Sequence, residues 1–270
     1  MMNGEIRIGC GVWRNADWKG SVYLPGSLPG SFLNQYASTF AAVEGNSTFY
    51  GLPRPETIQM WKASVPDNFR FCFKAPQKIT HVKRLVGAEQ DLRDFLNRIE
   101  PLGDNLGPIM LQFPTSFGPE LISTLLAFLK KVPKNFSYTV ELRHPEFLSN
   151  SDYVNMIRND HISLCIVDSR VHYQIKGPSA ENLSGHDTPI DLGNSPIVRF
   201  VGKDRTGTNL PFLRPWVHHF THWQRENKSP YFFAHTDDDK RAPFIASHFQ
   251  SLFPNLPPIL FKDHSQLDLF

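Results

Sequence analysis

The sequence predicts a single (β/α)8 barrel of the TIM type over residues 1–270. Eight short runs rich in β-branched and aromatic residues recur, with centres about 26 to 39 residues apart, the length of one strand-helix unit. Most runs are apolar at consecutive positions, as is typical of parallel strands covered on both faces. An open doubly wound sheet also satisfies this pattern, but eight even units in about 250 residues favour closure. The predicted strands are Glu5–Gly9, Ala41–Asn46, Phe69–Lys74, Pro108–Phe113, Ser137–Leu142, Ile162–Asp168, Ile197–Val201 and Tyr231–His235.

The segments between these strands carry the spacing of amphipathic helices. Apolar residues repeat every three or four positions within 55–65, 88–100 and 121–129, so each segment predicts a helix. Pro55 suits a first helical turn, because proline lacks the N–H that would be unpaired there. The stretch 172–194 has no helical period, and we expect it to be a long loop at one mouth of the barrel.

Composition limits the classes of function. The chain has 40% apolar residues, and 28 Lys and Arg against 26 Asp and Glu give a net charge of +2. This nearly neutral balance does not indicate a nucleic-acid partner, although such a partner remains possible. The composition does not define the oligomeric state. No apolar run approaches the roughly eighteen residues that cross a bilayer, so we expect a cytoplasmic protein without a membrane partner. The three cysteines have no metal-binding spacing, and we expect each to be reduced in or beside the core.

Polar side chains lie at or just after the ends of all eight predicted strands. In such a barrel the carboxyl ends of the strands and the loops that follow them form the functional site. Charged groups this close to a core form ion pairs or bind a ligand, because burying an unpaired ion costs roughly several kcal/mol. The strand-end residues are Cys10, Trp13, Glu44, Asn46, Lys74, Gln112, Glu141, Arg143, His144, Asp168, Arg199, Lys203, His235, Asp237 and Asp238.

Neighbouring strands predict which of these groups meet. Adjacent strands lie about 4.8 Å apart, so Glu44 is expected to face Lys74. By the same reasoning, Asp168 is expected beside both Glu141 and Arg199. A ring of internal salt bridges that merely plugs the barrel mouth is the structural alternative.

The same ring could support three chemistries. Lys74, Arg143 and Arg199 provide donors for a phosphate or carboxylate, which predicts an anion site. Glu141 and Asp168, two carboxylates on neighbouring strands, could form the catalytic pair of a glycosidase. In such a pair the carboxyl groups lie about 5 Å apart in retaining enzymes and about 6.5 to 9.5 Å apart in inverting ones. A metal set is less favoured, because the interleaved cations compete for the carboxylates. That set is Glu44, Glu141, Asp168 and His235.

Two further features lie near this ring. The loop 74–84 concentrates positive charge and contains His81, whose imidazole can exchange protons near neutral pH. Its alternative interpretation is a solvated loop. Aromatic residues are typical of core packing, but can also form a platform for a sugar or a base. They are Trp13, Trp18, Tyr23, Phe49 and Tyr50.

Several motifs in this order resemble the YecE-like family, domain of unknown function 72. They are Val43–Tyr50, Lys74-Ala75-Pro76 through Ile79-Thr80-His81, Gln112-Phe113-Pro114 and Glu141–Pro145, with Ile8-Gly9, Trp13 and Trp18-Lys19-Gly20 before them. The resemblance covers nearly the whole chain and implies a TIM barrel, but no particular reaction. It implies the pocket residues Glu44, Asn46, Thr48, Tyr50, Lys74, His81, Gln112, Glu141, Arg143 and Asp168. The chain departs from the family pattern at Gly9–Trp13 and at Ala234–Asp237.

These observations predict an enzyme, a hydrolase or a lyase, that acts on a small anionic, phosphorylated or sugar-like molecule at the carboxyl-end mouth. The alternatives are a metal-dependent phosphoesterase or nuclease, and a ligand-binding module without catalysis. We assign no metal ligands and expect no cofactor. The predicted catalytic residues are Glu44, Glu141, His81 and Asp168. The predicted substrate-binding residues are Asn46, Thr48, Tyr50, Lys74, Gln112, Arg143, Arg199 and Trp13.

Overall fold

The computed structural model describes residues 4–149, 151–159, 161–172 and 191–261, and it confirms the predicted TIM-type barrel. Eight parallel strands follow the order β3-β2-β1-β8-β7-β6-β5-β4. Backbone N–H groups of Gly107 and Ala75 donate to the carbonyls of Phe71 (2.9 Å) and Met110 (3.0 Å), which joins β3 to β4 and closes the ring. The strands are β1 Arg7–Cys10, β2 Ala42–Gly45, β3 Arg70–Phe73, β4 Ile109–Gln112, β5 Tyr138–Glu141, β6 Ile162–Asp168, β7 Ile197–Val201 and β8 Tyr231–His235.

Helices lie between the strands, as the sequence predicts. The helix predicted over 88–100 is observed as Glu89–Ile99, and its apolar residues Leu92, Phe95 and Ile99 are buried against the barrel. Residues 173–190 of the predicted long loop lie outside the described residues. The described helices are α1 Phe32–Ala37, α2 Ser47–Tyr50, α3 Pro55–Ala63, α4 Glu89–Ile99, α5 Ile122–Leu129, α6 Pro145–Ser149, α7 Ser151–Ile157, α8 Thr206–Arg225 and α9 Ala242–Ser251. None of them is long and apolar enough to cross a lipid bilayer.

The interior of the barrel is a core of its own. Successive side chains of a strand point to opposite faces, so alternate residues of each strand line the interior. The inner apolar cluster is separate from the larger core between the strands and the helices. It consists of Ala42, Cys72, Met110, Cys165, Ile197, Tyr231 and Phe233. Because side chains two positions further along a strand return to the same face, this cluster fixes which strand-end residues point inward.

Cysteines take no part in cross-links. Cys10, Cys72 and Cys165 are free and buried, which confirms the expectation from the sequence. Burial raises the pKa of all three thiols well above the usual value, so each remains protonated at neutral pH.

Candidate functional site

Arg199 links two carboxylates inside the carboxyl end of the barrel. From β7, its Nε and Nη2 donate to Glu44 Oε2 at 2.7 Å and to Glu44 Oε1 at 3.0 Å. Its Nη1 donates to Glu141 Oε2 at 3.2 Å. Glu44 and Glu141 belong to β2 and β5, so a single guanidinium connects three strands across the interior.

Each carboxylate has further partners of its own. Lys74 Nζ lies 3.1 Å from Glu44 Oε1, as the neighbouring strands predict. Gln112 Nε2 donates to Glu141 Oε1 at 2.9 Å, and Arg143 Nε donates to the same oxygen at 2.6 Å. We call this set the mouth network: Glu44, Lys74, Gln112, Glu141, Arg143 and Arg199.

Charge pairing keeps both carboxylates ionised. Burial opposes their ionisation, but Arg199 and the other cations outweigh it, so the pKa of Glu44 lies well below its usual range and that of Glu141 falls to about 2. Burial likewise opposes the charge on Arg199, and the two carboxylates raise its pKa despite it. Neither Glu44 nor Glu141 therefore holds a proton that it can donate near neutral pH.

The mouth network opens to solvent on one side. The side chains of Glu44 and Glu141 are at most 1% exposed, and those of Lys74 and Arg199 are 9% exposed. Arg143 is 39% exposed. Within the part of the chain that the structure describes, the two terminal nitrogens of Arg143 have no hydrogen-bond partner. An anion can therefore reach this guanidinium without breaking the buried pairs.

Comparisons with known proteins identify the family. The family model described as "Protein of unknown function DUF72" matches residues 7–262. The chain belongs to the DUF72 family. It is 32% identical over 266 residues to the UPF0759 protein YecE of Escherichia coli K12, covering 94% of this chain and 95% of that protein. It is 24% identical to the UPF0759 protein YunF of Bacillus subtilis, covering 76% and 73%.

Solved structures of the family share the fold. A DUF72 family protein from Thermotoga maritima superposes with a TM-score of 0.73 at 24% identity, covering 92% of this chain and 98% of that one. A DUF72 family protein from Enterococcus faecalis gives a TM-score of 0.66 at 22% identity, covering 93% and 98%. These names state no reaction, so the activity of this DUF72 barrel has to be inferred from the site.

His81 lies at the open side of the mouth network. It belongs to a single π-type turn over Lys78–Val82, and its Nδ1 lies 2.9 Å from the hydroxyl of Thr80. Partial burial lowers the pKa of His81, and the nearby charges of Arg143 and Lys74 lower it further. The imidazole is therefore neutral at pH 7 and able to accept a proton.

The segment after β2 contacts this imidazole through Phe49. The ring of Phe49 packs edge-on against His81 at 5.0 Å between centroids, and Tyr50 is 77% exposed beside Phe49. Asn46 Nδ2 donates to the Gly11 carbonyl at 2.7 Å, whereas Asn46 Oδ1 is buried and has no hydrogen-bond partner among the residues that the structure describes.

Asp168 does not join the mouth network, and its predicted place beside Glu141 and Arg199 is wrong. Its backbone pairs with Phe200, whereas Val167 pairs with Arg199, so Asp168 points to the outer face of the barrel. There, Arg170 donates to both of its carboxylate oxygens at 2.9 and 2.7 Å. The glycosidase pair of Glu141 and Asp168 is therefore not formed.

Asp168 instead connects strand β6 to helix α8. Trp216 Nε1 donates to Asp168 Oδ2 at 2.8 Å, and both side chains are buried. We expect Trp216→Phe to lower the free energy of unfolding by about 1–3 kcal/mol, because a buried charged acceptor loses a donor. Chemical denaturation measures this loss. The mouth should be unaffected, so a Trp216→Phe protein with weakened anion binding would contradict the outward placement of Asp168.

Two more predicted binding residues contact the core instead of the mouth. Trp13 is buried and packs against Trp61 and Phe71 at centroid distances of 5.3 and 6.0 Å, on the outer side of β3. Thr48 is fully buried, and its hydroxyl donates to the carbonyl of Lys74 at 2.7 Å. Neither side chain is available to a substrate, because packing or a hydrogen bond already occupies it. Thr48 positions the backbone of Lys74.

His235 also contacts the mouth network, although from the sequence it is only a strand-end residue and a member of the less favoured metal set, and not one of the predicted catalytic or substrate-binding residues. Its Nε2 lies 3.1 Å from Glu44 Oε2, and its Nδ1 lies 4.0 Å from Asp239 Oδ1. A Cβ on Gly11 would stand 2.1 Å from the His235 ring, so only glycine leaves room for it. Gly11 and His235 both lie in the segments that depart from the family pattern, which is the sequence signal that identifies them.

Metal-binding geometry is the last property of the site. Within residues 4–149, 151–159, 161–172 and 191–261, no group of three or more His, Cys, Asp and Glu side chains is placed to hold a metal ion. The carboxylates of the predicted metal set contact Lys74, Arg199 and Arg170 instead.

Proposed function

We propose that this DUF72 protein is an enzyme, a hydrolase or a lyase, that acts on a small anionic substrate at the carboxyl-end mouth of the barrel. The observation that carries the proposal is an exposed guanidinium, that of Arg143, near a neutral imidazole, that of His81. Among the described residues the two terminal nitrogens of Arg143 have no hydrogen-bond partner, and burial together with the charge of Arg143 lowers the pKa of His81. One group is ready to bind an anion and the other to accept a proton.

The net charge of the mouth network favours an anionic substrate. Among the described residues, three cations, Lys74, Arg143 and Arg199, contact the two carboxylates Glu44 and Glu141. These five side chains together carry one excess positive charge. Of the three cations, Arg143 is the one whose side chain is substantially exposed at the mouth. The terminal nitrogens of a guanidinium bind a phosphate or a carboxylate through two parallel hydrogen bonds. We therefore place the anionic group of the substrate on Arg143, with Lys74 as the second cation.

His81 is the acid-base group of the proposed reaction. The hydroxyl of Thr80 fixes its Nδ1, while its Nε2 has no hydrogen-bond partner in the part of the chain that the structure describes. A neutral imidazole accepts a proton from a substrate hydroxyl or from water, and returns it to a leaving group. Glu44 and Glu141, both ionised and fully paired, position the cations and donate no proton.

A hydroxylated substrate fits the remaining groups. Asn46 Oδ1 is a buried acceptor without a donor, which is costly unless a ligand or water supplies one. The ring of Tyr50 is exposed beside Phe49 and provides an apolar face on which a sugar ring can pack. Together with Arg143 these groups favour a phosphorylated or carboxylated sugar-like molecule over a simple anion.

Anion binding tests this proposal through Arg143. Purified protein is titrated with inorganic phosphate and with a panel of sugar phosphates and sugar acids at constant ionic strength, and thermal unfolding reports binding. A ligand at about 100 times its dissociation constant stabilises the folded state by about 2.7 kcal/mol. We expect Arg143→Gln to weaken binding about 10- to 100-fold, because charge-assisted hydrogen bonds contribute about 1.5–3 kcal/mol.

Arg93→Gln is the matched control, because Arg93 is an exposed arginine of α4 whose guanidinium contacts Gln90. It should bind every ligand as the unmodified protein does. Unchanged affinity in Arg143→Gln, or no stabilisation by any member of the panel, would overturn the proposal. Binding that depends on Arg143 without turnover of any bound ligand would identify a ligand-binding module instead.

A further inference from the structure

A polar cavity lies at the amino end of the barrel strands, opposite the mouth network. It has a volume of about 490 Å³, within the range of small-molecule sites. We call it the base cavity, because its lining residues begin strands or precede them: Arg70 starts β3, Tyr231 starts β8, and Ser137 and Ser195 precede β5 and β7. The active sites of TIM barrels lie at the carboxyl end, so this cavity is separate from the mouth network.

Arg70 supplies a positive charge that forms no direct ion pair with a described carboxylate. Its Nη1 donates to the carbonyls of Asp67 and Phe69 at 2.7 and 3.1 Å, and its Nε and Nη2 have no hydrogen-bond partner among the described residues. Those residues also place no Asp or Glu oxygen within 4.0 Å of it. Burial lowers the pKa of Arg70 and the charge of Arg7 lowers it further, whereas Tyr231, Glu5 and Asp104 offset part of this shift. An anion bound to the guanidinium would offset more of it.

Three hydroxyl groups line the same cavity as Arg70. The phenol of Tyr231 and the hydroxyls of Ser137 and Ser195 have no hydrogen-bond partner within the described ranges. Tyr231 is 4% exposed, and burial raises its pKa, so the phenol keeps its proton and acts as a donor. The base cavity therefore combines one guanidinium with three hydroxyl donors, a set that recognises the oxygens of an oxyanion.

Carboxylates lie at the outer edge of the base cavity. Glu100 and Asp104 are exposed residues of the short segment after α4, and both line the cavity. They repel the oxyanion itself but accept hydrogen bonds from a hydroxyl or an ammonium group at its other end. The lining thus combines donors, led by Arg70, with the acceptors Glu100 and Asp104, of which Asp104 is near enough to raise the pKa of Arg70.

We propose that the base cavity binds a small organic oxyanion that also carries a hydroxyl or an ammonium donor. The oxyanion lies on Arg70 and Tyr231, and the donor faces Glu100 and Asp104. Neither His nor Cys is among the residues that line the cavity, so we assign it a binding role and no reaction. The proposal does not depend on the function of the mouth network.

Three ligands of similar size test both sides of the cavity. Propionate offers the carboxylate alone, lactate adds a hydroxyl, and alanine adds an ammonium group. Saturation-transfer NMR and thermal unfolding measure their binding to the full chain at constant ionic strength. We expect lactate or alanine to bind at least about threefold more tightly than propionate, a difference of about 0.7 kcal/mol.

Variants locate this binding. Both variants are made in an Arg143→Gln background, which removes the proposed anion site of the mouth. There Arg70→Gln should weaken binding at least about tenfold, whereas Arg93→Gln, at an exposed arginine outside the base cavity, should leave it unchanged. Should Arg70→Gln fail to fold, Tyr231→Phe removes one donor only and should weaken binding several-fold. No binding of any probe, or an affinity that is unchanged in Arg70→Gln or in Tyr231→Phe, overturns the site. Equal binding of propionate, lactate and alanine overturns the role of the acidic rim and with it the proposed ligand class.

Discussion

Replacing Arg199 with methionine is expected to lower the free energy of unfolding by about 3–5 kcal/mol, the range for breaking a buried ion pair. Arg199 makes two hydrogen bonds with Glu44 and, from Nη1, a bifurcated pair with Glu141, and both carboxylates are at most 1% exposed. After the change Glu44 keeps Lys74 and His235, and Glu141 keeps Gln112 and Arg143. None of these groups replaces the donors that are lost. Urea denaturation at pH 7 measures the effect.

The pH dependence gives a second readout for Arg199. In the unmodified protein the pKa of Glu141 is about 2 against an ordinary 4.5, so its pairing stabilises the folded state above about pH 4.5. That contribution falls as the pH drops from 4.5 towards 2, because the unfolded chain takes up the proton first. In Arg199→Met the pKa of Glu141 is less depressed. The stability difference between the two proteins should therefore narrow as the pH falls.

Two variants control for the loss of packing. Arg93→Met removes an exposed arginine and should change stability by less than about 0.5 kcal/mol. The double variant Arg199→Met/Glu141→Gln removes one of the two under-paired carboxylates. It should be more stable than Arg199→Met alone, since the remaining Glu44 still has Lys74 and His235. If instead the losses simply add and show no dependence on pH, Arg199 acts by filling space.

The network illustrates which contacts a sequence can predict. Glu44 and Lys74 end neighbouring strands, so a spacing of about 4.8 Å was enough to pair them. The bonds from Arg199 to Glu44 and Glu141 cross the interior between strands that are not adjacent. No rule based on neighbouring strands predicts them, because they depend on the length of the arginine side chain and on closure of the barrel.

Asp168 shows why faces are harder to predict than positions. Strand β6 is apolar on both faces, since the barrel interior and the helices both cover it. Its sequence therefore lacks the polar alternation that would distinguish inward from outward residues. The register with β7 decides the question, and a shift of one residue exchanges Val167 for Asp168. The prediction for Trp13 is wrong for another reason, because an aromatic residue after a strand can either pack in the core or contact a ligand.

His81→Gln is expected to lower kcat by about 10²- to 10⁴-fold on the substrate that the Arg143 experiment identifies, the usual contribution of a positioned acid-base group. Glutamine keeps a polar side chain beside Phe49 and Thr80 but has no titratable nitrogen. The dissociation constant of the substrate should change by less than about threefold, because the anion is held by Arg143 and Lys74. Steady-state kinetics together with direct binding separate the two effects.

The pH profile distinguishes an acid-base role for His81 from a structural one. The pKa of His81 is lowered from the ordinary 6.5 by burial, Arg143 and Lys74. A base must be neutral, so kcat/KM should be constant at neutral pH and should fall only as the pH drops through a value below 6.5. His81→Gln should lose this acid limb, and His161→Gln, at an exposed histidine before β6, should retain it. An unchanged kcat in His81→Gln, or an acid limb that survives the substitution, would assign proton transfer to a different group.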